Sequence, residues 1–423
     1  MESQASTLGQ TGLRNWSLAI FVALTALLEG PAQIAGLLAV VLCLSHARWE
    51  KSLFGWSEGL LLIWLLAGLP GLFYNDVEVR SSDALRPLAC IVYLAGRCTP
   101  RTGNAQRLLA WGFLGAITLN GLYGLVQVFI VNPPLEQMVL TRTASQHFVN
   151  PDDPSRLMMA SGLFYNRVKL AHVGVLGLAA ACALTLSSED RIRKYRPILV
   201  LSILILASAV YLSYRRAAPA AMFFAFLVWA FIVRRKRVLA FACGACVVFG
   251  SAFLLMETGR ARLAAAAESF SERVLIYESA WNLFADHFWL GVGHGAYRHS
   301  IVNYATSSEP DVILNLQSQA HNLFLHVFTE SGLIGGFAFT GVIGLCLYRA
   351  SVNLREQKVS TQIGLLHVSF LCVVILTAIG GLHFVLYHNP VALAFWYCLG
   401  VCAGYWPSKQ DISNAEPTVA RSL

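Results

Sequence analysis

Charged residues are scarce in this sequence. Only 13% of its 423 residues are Asp, Glu, Lys or Arg, whereas 56% are hydrophobic. The mean hydropathy is +0.59, and an ordinary soluble domain carries roughly a quarter charged residues. The composition therefore excludes a soluble globular protein and predicts an all-α polytopic membrane protein.

A cleavable signal peptide is also missing from the sequence. The first apolar run, 16–28, is followed by the turn residues Gly30 and Pro31 and then by a second apolar run. No small-residue cleavage site is evident, so we expect an uncleaved membrane hairpin at the N-terminus.

About twelve membrane spans are predicted when roughly 20 apolar residues are required for each helix. Their centres lie near Val22, Leu38, Ile63, Val92, Leu122, Leu176, Ile205, Phe226, Val247, Gly335, Val373 and Leu393. Most basic residues then fall on the same side as the N-terminus, so the positive-inside rule predicts cytoplasmic N- and C-termini. The chain divides into a bundle of about nine spans (1–256), a partly helical exported loop (257–320) and spans 10–12 with a short cytoplasmic tail (321–423).

Cysteine is absent from the two long exported loops, 132–166 and 257–320, although the chain contains ten cysteines. An oxidising compartment pairs or modifies exposed thiols, so this distribution agrees with the predicted orientation. Cys243 and Cys246 have the spacing of a zinc site, but they lie in an apolar helix without a second ligand pair. They are interpreted as packing residues.

Metal-binding patterns are missing from the exported segments. There is no Asp-x-Asp motif of the kind that metal-dependent nucleotide-sugar transferases use, and Asp152–Asp153 lies between prolines, as in a solvated turn. We therefore expect neither a metal nor another cofactor. The 257–320 loop has seven acidic residues against four arginines, which excludes a general polyanion surface and a nucleic-acid partner.

The 257–320 loop has a structured centre. Ser269 to Glu272 form a capping box, which starts a helix. An apolar stripe follows at three- and four-residue spacing, made by Val274, Tyr277, Trp281, Phe284 and Phe288. The pattern predicts an amphipathic helix on the membrane face that stops at Gly291. The sequence Gly291-Val-Gly-His-Gly295 is interpreted as a tight turn, with contact between its amides and an anion as the alternative.

Arginine occurs on the exported side, where the positive-inside rule disfavours it. Arg215 and Arg216 lie together in a sharp turn between two apolar helices, and Arg273 lies in the first turn of the amphipathic helix. The planar fork of arginine suits bidentate binding of phosphate, so all three are candidate anion ligands. Snorkelling to lipid headgroups is the alternative for the pair, and a salt bridge to Glu272 or Glu278 is the alternative for Arg273.

His321 begins a polar cluster at the mouth of a hydrophobic helix. Asn322, His326 and Glu330 follow, spaced four residues apart along one helical face. Ionisable groups in a membrane segment are costly and suggest function, and a neutral imidazole suits a general base near pH 7. We predict that His321 is the base and that Glu330 pairs with His326. Other histidines are interpreted as interface residues: His294, His299 and His388.

Three segments of the sequence carry a family resemblance. The longest contains Glu272-Arg273, Trp281, Trp289-Leu-Gly-Val-Gly-His-Gly295, His321-Asn322 and Glu330-Ser-Gly-Leu-Ile-Gly335. The others are Leu212-Ser-Tyr-Arg-Arg216 and Gly162-Leu-Phe-Tyr-Asn166. Over residues 156–340 the chain resembles the bacterial O-antigen ligase and polymerase superfamily. The second segment is similar to the family's Ser-x-Ser-Arg turn, with Arg216 at the arginine position and Arg215 in place of the second serine.

The resemblance implies a glycosyltransferase of the GT-C type in the bacterial inner membrane, with its active site facing the periplasm. The implied partners are a glycan donor on undecaprenyl pyrophosphate, a sugar hydroxyl of the lipid A core as acceptor, and membrane lipids. Arg215, Arg216 and Arg273 are expected to bind the pyrophosphate leaving group. His321 is expected to take the acceptor's proton, which gives direct displacement with inversion and without a metal. Supporting contacts are expected from Arg156, Asn166, Tyr277, His294, Asn322, His326 and Glu330.

Other functions remain open at this point. Within the enzyme class they are an O-antigen polymerase and a protein O-oligosaccharyltransferase, and outside it a transporter of anions or lipid phosphates. An inverted repeat or charges in the middle of spans would favour transport, and the sequence has neither. The modest chain length, and the amphipathic helix that we expect to roof a lateral opening for a membrane-anchored glycolipid, favour the ligase.

Overall fold

The computed structural model describes residues 2–46, 55–74, 79–99, 103–130, 159–164, 166–187, 190–234, 240, 243, 273–305, 319–356 and 364–404. These residues form helices joined by turns, and no strand occurs among them. The all-α fold predicted from composition is therefore confirmed for the described part of the chain.

The helices are numbered in chain order. They are α1 (Glu2–Thr25), α2 (Glu29–His46), α3 (Trp56–Ala67), α4 (Pro70–Tyr74), α5 (Ser81–Ala84), α6 (Val92–Arg97), α7 (Gly103–Phe129), α8 (Arg167–Thr185), α9 (Asp190–Arg193), α10 (Arg196–Leu212), α11 (Ala217–Ile232), α12 (273–286), α13 (Tyr297–Ser300), α14 (Leu323–Glu356), α15 (Leu365–Gly380) and α16 (Asn389–Gly404). Short 3₁₀ helices occur at Arg86–Ile91, Gly162–Phe164, Ile301–Tyr304 and Val385–Tyr387.

Apolar helices make up most of the described chain. Four segments are long and apolar enough to cross a membrane: Trp56–Phe73, Ala105–Phe129, Arg167–Thr185 and Leu323–Arg355. Six shorter apolar helices accompany them, formed by α1, α2, α10, α11, α15 and α16. Each of these ten segments contains one of the predicted span centres. The agreement supports a polytopic membrane protein.

The two remaining predicted span centres have different outcomes. Around Val92 the chain forms the 3₁₀ helix Arg86–Ile91 and the short α6 instead of one long helix. Together they are roughly 20 Å long, which is too short for a hydrocarbon core of ~30 Å. The prediction of a membrane span at Val92 is therefore wrong. Val247 lies outside the described residues.

The short helix α6 is buried because it packs unusually closely on α16. A Cβ atom added to Gly96 would lie 2.1 Å from the carbonyl oxygen of Tyr397, and one added to Gly400 would lie 2.0 Å from that of Tyr93. Only glycine permits backbones to approach this closely. Apolarity at Val92 therefore reflects burial against another helix rather than contact with lipid.

The helix α8 lies at the centre of the bundle and packs against α7, α10 and α15. Nearly all of its residues between Val168 and Leu184 are buried, as expected for a helix that is hydrophobic on every side. His172 is the only ionisable side chain among the buried residues of α8. A titratable group is thus placed deep among apolar side chains.

The helix α14 is broken at Gly332, whose φ of 64° and ψ of −167° are not helical. A Cβ atom on this residue would lie 2.3 Å from the carbonyl carbon of Trp289, so a larger residue does not fit. The amide of Leu333 donates to the carbonyl oxygen of Phe288 at 2.7 Å. The segment that follows α12 is therefore inserted into the break in α14.

Candidate active site

The helix α12 covers the end of the bundle that the charge pattern predicts to face the periplasm. Ile276, Ala280 and Leu283 form its buried face, which packs with the loop that follows it. Val274 and Trp281 are 47% and 59% exposed. The predicted helix is present, but its apolar residues lie on two sides, so the single predicted stripe is divided between the protein and the exterior. The predicted capping box, 269–272, lies outside the described residues.

His321 immediately precedes α14 in a strained backbone conformation. Its φ is +49°, in the left-handed region that non-glycine residues rarely adopt. The hydroxyl of Tyr277 donates to the His321 carbonyl oxygen at 3.3 Å. The side-chain amide of Asn322 donates to the carbonyl oxygen of Gly381 at 3.2 Å, while its oxygen accepts from the Leu325 amide at 3.1 Å. Tyr277 and Asn322 thus hold the backbone that directs the His321 ring.

The imidazole of His321 is half-buried, and its Nδ1 has no hydrogen-bond partner among the residues that the structure describes. Its pKa is lowered to about 4, mainly by burial and to a smaller extent by the charges of Arg273, Arg215 and His326. The ring is therefore neutral near pH 7. A neutral imidazole with a free nitrogen is able to accept a proton from a substrate.

The structure separates the two adjacent arginines of the turn between α10 and α11. Arg215 is half-buried, whereas Arg216 is exposed. Burial lowers the pKa of Arg215 to about 10, and the like charges of Arg167 and Arg273 contribute. Arg215 also lowers the pKa of His321 through its charge, so the two side chains lie near each other.

Arg167, Arg215 and Arg273 form a cationic cluster that has no acidic counterpart among the residues the structure describes. In the described ranges the ion pairs of arginine are Arg86–Asp83 and Arg97–Glu58, and none involves these three residues. The Nε atom of Arg215 is buried without a hydrogen-bond partner in the same ranges. A cluster of half-buried guanidinium groups that form no ion pair in these ranges attracts an anion and suits phosphate oxygens.

Asn166 supports this cluster from the start of α8. Its side-chain oxygen accepts a hydrogen bond from the Val168 amide at 2.8 Å, which caps the helix. The cap fixes the first turn of α8, where Arg167 and Lys169 lie. Arg156, another predicted supporting residue, lies outside the described residues.

His294, His326 and Glu330 form a buried group beside His321. Glu330 Oε1 lies 3.4 Å from His326 Nε2, and its Oε2 lies 3.9 Å from His294 Nδ1. The ring of His326 stacks on Phe384 with centroids 3.8 Å apart. The predicted pairing of Glu330 with His326 is therefore present, and His294 is buried rather than an interface residue.

The glycine-rich loop 291–295 is a structural turn against α14. Each of its five amides donates to a protein acceptor; these are the carbonyl oxygens of His287, Thr329, Glu330 and Gly68 and the Glu330 carboxylate. Gly291, Gly293 and Gly295 all have positive φ, a conformation that favours glycine. The tight-turn interpretation is thus supported, and the anion alternative is wrong because no amide is left to bind one.

Three further histidines, which the sequence analysis did not place in the site, form a row of neighbouring rings that begins at His321. The ring of His383 packs edge-to-face on His321 with centroids 5.5 Å apart, and on His172 at 5.7 Å. His172 lies 6.4 Å from His388. His172 could have been identified from the sequence, because it is an ionisable residue inside an apolar helix. His388 is buried, so its interpretation as an interface residue is wrong.

The described residues contain no group of three or more His, Cys, Asp or Glu side chains arranged to hold a metal ion. Asp152 and Asp153 lie outside those residues. The prediction of metal independence therefore stays a prediction.

The fold and the site together define a polytopic helical membrane protein with a cationic, histidine-containing site at one end of its bundle. A family model described as O-antigen ligase matches residues 201–340. This match confirms, over residues 201–340, the predicted resemblance to the O-antigen ligase superfamily. The family implies a glycosyltransferase-like enzyme that processes O-antigen or related glycans. A search of curated proteins finds no match.

The matched segment contains the predicted arginines and the predicted base, at positions 215, 216, 273 and 321. It ends before His383 and begins after His172. The family match thus includes the arginines and His321 but does not include His172 or His383.

Proposed function

We propose that this protein transfers a glycan from undecaprenyl pyrophosphate to a sugar hydroxyl of the lipid A core, at the periplasmic face of the bacterial inner membrane. The observation that carries the proposal is the cluster of Arg167, Arg215 and Arg273, which has no acidic partner among the described residues and lies next to the neutral ring of His321. A pyrophosphate supplies the negative charge that this cluster lacks.

Arg215 and Arg273 bind the pyrophosphate leaving group in this proposal. As the bond between the sugar and the phosphate breaks, negative charge grows on the bridging oxygen, and fixed guanidinium groups stabilise it. Arg216 remains a candidate by its position in the family-like turn, but its exposure makes Arg215 the better supported ligand. Arg167 adds positive charge next to Arg215.

His321 acts as the general base. It takes the proton of the acceptor hydroxyl as the oxygen attacks the anomeric carbon, and the pyrophosphate leaves from the opposite face. A single displacement of this kind inverts the configuration and needs no pair of catalytic carboxylates. Metal independence rests on the missing Asp-x-Asp motif, because the arginines take the part that a metal plays in many nucleotide-sugar transferases.

The proposed orientation places both termini in the cytoplasm and the site in the periplasm. It rests on the basic residues of the segments predicted to be cytoplasmic. The proposed division remains a first bundle over 1–256, an exported segment over 257–320 and a last group of spans over 321–423.

The envelope glycolipids of cells with and without this protein test the proposal. Without the protein, full-length polymer should accumulate on its lipid carrier while the lipid A core stays bare. Wild-type protein should restore transfer, and the His321→Ala variant should not. Core that carries a single repeat unit would indicate a polymerase instead. Unchanged glycolipids would contradict the proposal.

A further inference from the structure

We infer that His321, His383, His172 and His388 form a proton relay, which carries the proton of the acceptor hydroxyl away from the site. The inference rests on the proposed function, since it concerns the fate of the proton that His321 takes. It assigns a role to three histidines that come from α8 and from the connection between α15 and α16.

The spacing of the first three rings suits proton transfer. Two imidazoles joined by a direct N–H···N hydrogen bond have centroids ~5 Å apart, because the bonded nitrogen atoms lie ~3 Å apart. The centroids of His321 and His383 are 5.5 Å apart, and those of His383 and His172 are 5.7 Å apart. A small ring rotation or one bridging water closes each step. The step of 6.4 Å to His388 leaves room for a water.

Unpartnered nitrogen atoms lie along the row. The Nδ1 atoms of His321 and His172 are buried and have no hydrogen-bond partner among the described residues. His172 is only 1% exposed. A buried polar group without a partner is costly, and an apolar ring of similar size would pack there at a lower cost. Nitrogen atoms in these positions are accounted for if they exchange protons with neighbouring rings or with water.

Arginines near His321 and His383 make the proton affinity of these two rings depend on whether the donor is bound. Burial holds the pKa of His383 well below its usual range, and the charges of Arg215 and Arg273 act in the same direction. The same two arginines act on His321. When a pyrophosphate pairs with them, their effect on both rings is offset and a proton on the row becomes less costly. The row is thus neutral at rest and accepts a proton once the donor is bound.

The far end of the row, at His388, lies near further cations. Burial lowers the pKa of His388 to about 3, with further effects from Lys169, His383, Arg215 and Arg86. Arg86 lines a cavity together with its ion-pair partner Asp83. In the proposed relay, a proton that reaches His388 is repelled by these cations and passes on to water.

The relay balances the reaction. The acceptor oxygen forms a bond to the anomeric carbon, and the bond from that carbon to the phosphate oxygen breaks with its electron pair on the leaving pyrophosphate. The acceptor's proton moves to His321. Each following ring gains a proton on one nitrogen and releases one from the other, so every imidazole returns to its neutral form and one proton enters the solvent.

The test uses full-length protein in lipid nanodiscs, with glycolipids extracted from cells that lack it, which supply both donor and acceptor. His383→Gln and His383→Ala should lower the rate of transfer by about 10- to 100-fold and increase the solvent deuterium isotope effect. Added imidazole should restore part of the activity of His383→Ala. Binding of undecaprenyl pyrophosphate should stay unchanged. The matched control is His367→Gln, a buried histidine near the opposite end of α15.

Each outcome bears on one part of the account. If the wild type transfers glycan but His383→Gln transfers equally well, the relay is wrong while the proposed function stands. If the variants lose activity without a change in isotope effect and without rescue by imidazole, His383 is structural and the relay is again wrong. If the wild type transfers nothing, the proposed function itself fails.

Discussion

The charged side chains near the two ends of α14 differ in whether they form ion pairs within the protein. At the end predicted to face the cytoplasm, the Glu58 carboxylate accepts four hydrogen bonds; the donors are the Gly55 amide, the Ser57 and Tyr93 hydroxyls and the Arg97 guanidinium. Arg349 of α14 donates to the Ser57 hydroxyl at 3.0 Å. This network joins α3, α6 and α14 and pairs its charges within the protein.

At the other end of α14, positive charges lie together without such pairing. No carboxylate forms an ion pair with Arg167, Arg215 or Arg273 within the described part of the chain. Uncompensated buried charge destabilises a fold. The difference shows that the paired network joins helices, whereas the arginine cluster leaves positive charge available for the anion that we propose as its ligand.

Replacement of the proposed base should have the largest effect. His321→Ala leaves the arginines in place but removes the group that accepts the proton, so we expect transfer to fall by about 10²- to 10⁴-fold. Rates with purified protein measure the effect, and His299→Ala, which alters an exposed histidine, is the control. Near-normal transfer by His321→Ala would remove this residue from the mechanism.

The adjacent arginines provide the next test. Arg215→Lys keeps the charge but loses the planar fork, so we expect transfer to fall about tenfold. Arg216→Lys alters an exposed side chain and should change the rate by no more than about twofold, as most surface substitutions do. Transfer rates of the two variants decide between the residues. A larger loss from Arg216→Lys would favour the position suggested by the family-like turn.

A substitution in the network around Glu58 should lower the stability of the protein without lowering its activity. Glu58→Gln removes the charge that balances Arg97 and turns one acceptor into a donor, so we expect a loss of about 1–3 kcal/mol of unfolding free energy. Thermal unfolding in detergent measures it, with the exposed Glu278→Gln as the control. Transfer per folded molecule should stay at the wild-type level. Lost transfer in folded protein would contradict a purely structural network.

The pH dependence of transfer should change when pyrophosphate binds to the arginine cluster, although this effect is smaller than those of the substitutions above. His321 has a lowered pKa of about 4 in the free protein, so the acid limb of kcat/KM should lie near pH 4. Bound pyrophosphate offsets the arginines and raises this pKa, so the acid limb of kcat should lie at higher pH. If the acid limbs of kcat and kcat/KM lay at the same pH, the donor would not neutralise the arginine cluster.

Removal of metal ions should have the smallest effect of all. The arginines supply the positive charge in this account, so transfer should continue in the presence of a chelator without added divalent ions. If activity were lost and one specific metal restored it, the interpretation of Asp152 and Asp153 as a solvated turn would have to be abandoned.

The membrane helices were largely predictable because hydropathy is a local property of the sequence. Each of the ten apolar helices contains a predicted centre. The segment around Val92 was not predictable in this way, since it is buried by the close packing of Gly96 on Tyr397 and of Gly400 on Tyr93. Packing between segments far apart in the sequence does not appear in a hydropathy pattern.

The candidate site was predictable where rare residues marked it. Arginine on the disfavoured side and histidine at a helix mouth pointed to Arg215, Arg273 and His321. Sequence alone did not separate Arg215 from Arg216, because their different exposure arises from the tertiary fold. His383 was missed because only the tertiary fold brings it beside His321.

The most direct test of the unpaired cluster is the affinity of the protein for undecaprenyl pyrophosphate in lipid nanodiscs. The account predicts that Arg215→Gln weakens binding by at least about tenfold, because a charged hydrogen bond contributes roughly 1.5–3 kcal/mol. Arg216→Gln and the stability variant Glu58→Gln should bind like the wild type. Equal affinity of wild type and Arg215→Gln would contradict the claim that this cluster is completed by the donor's pyrophosphate.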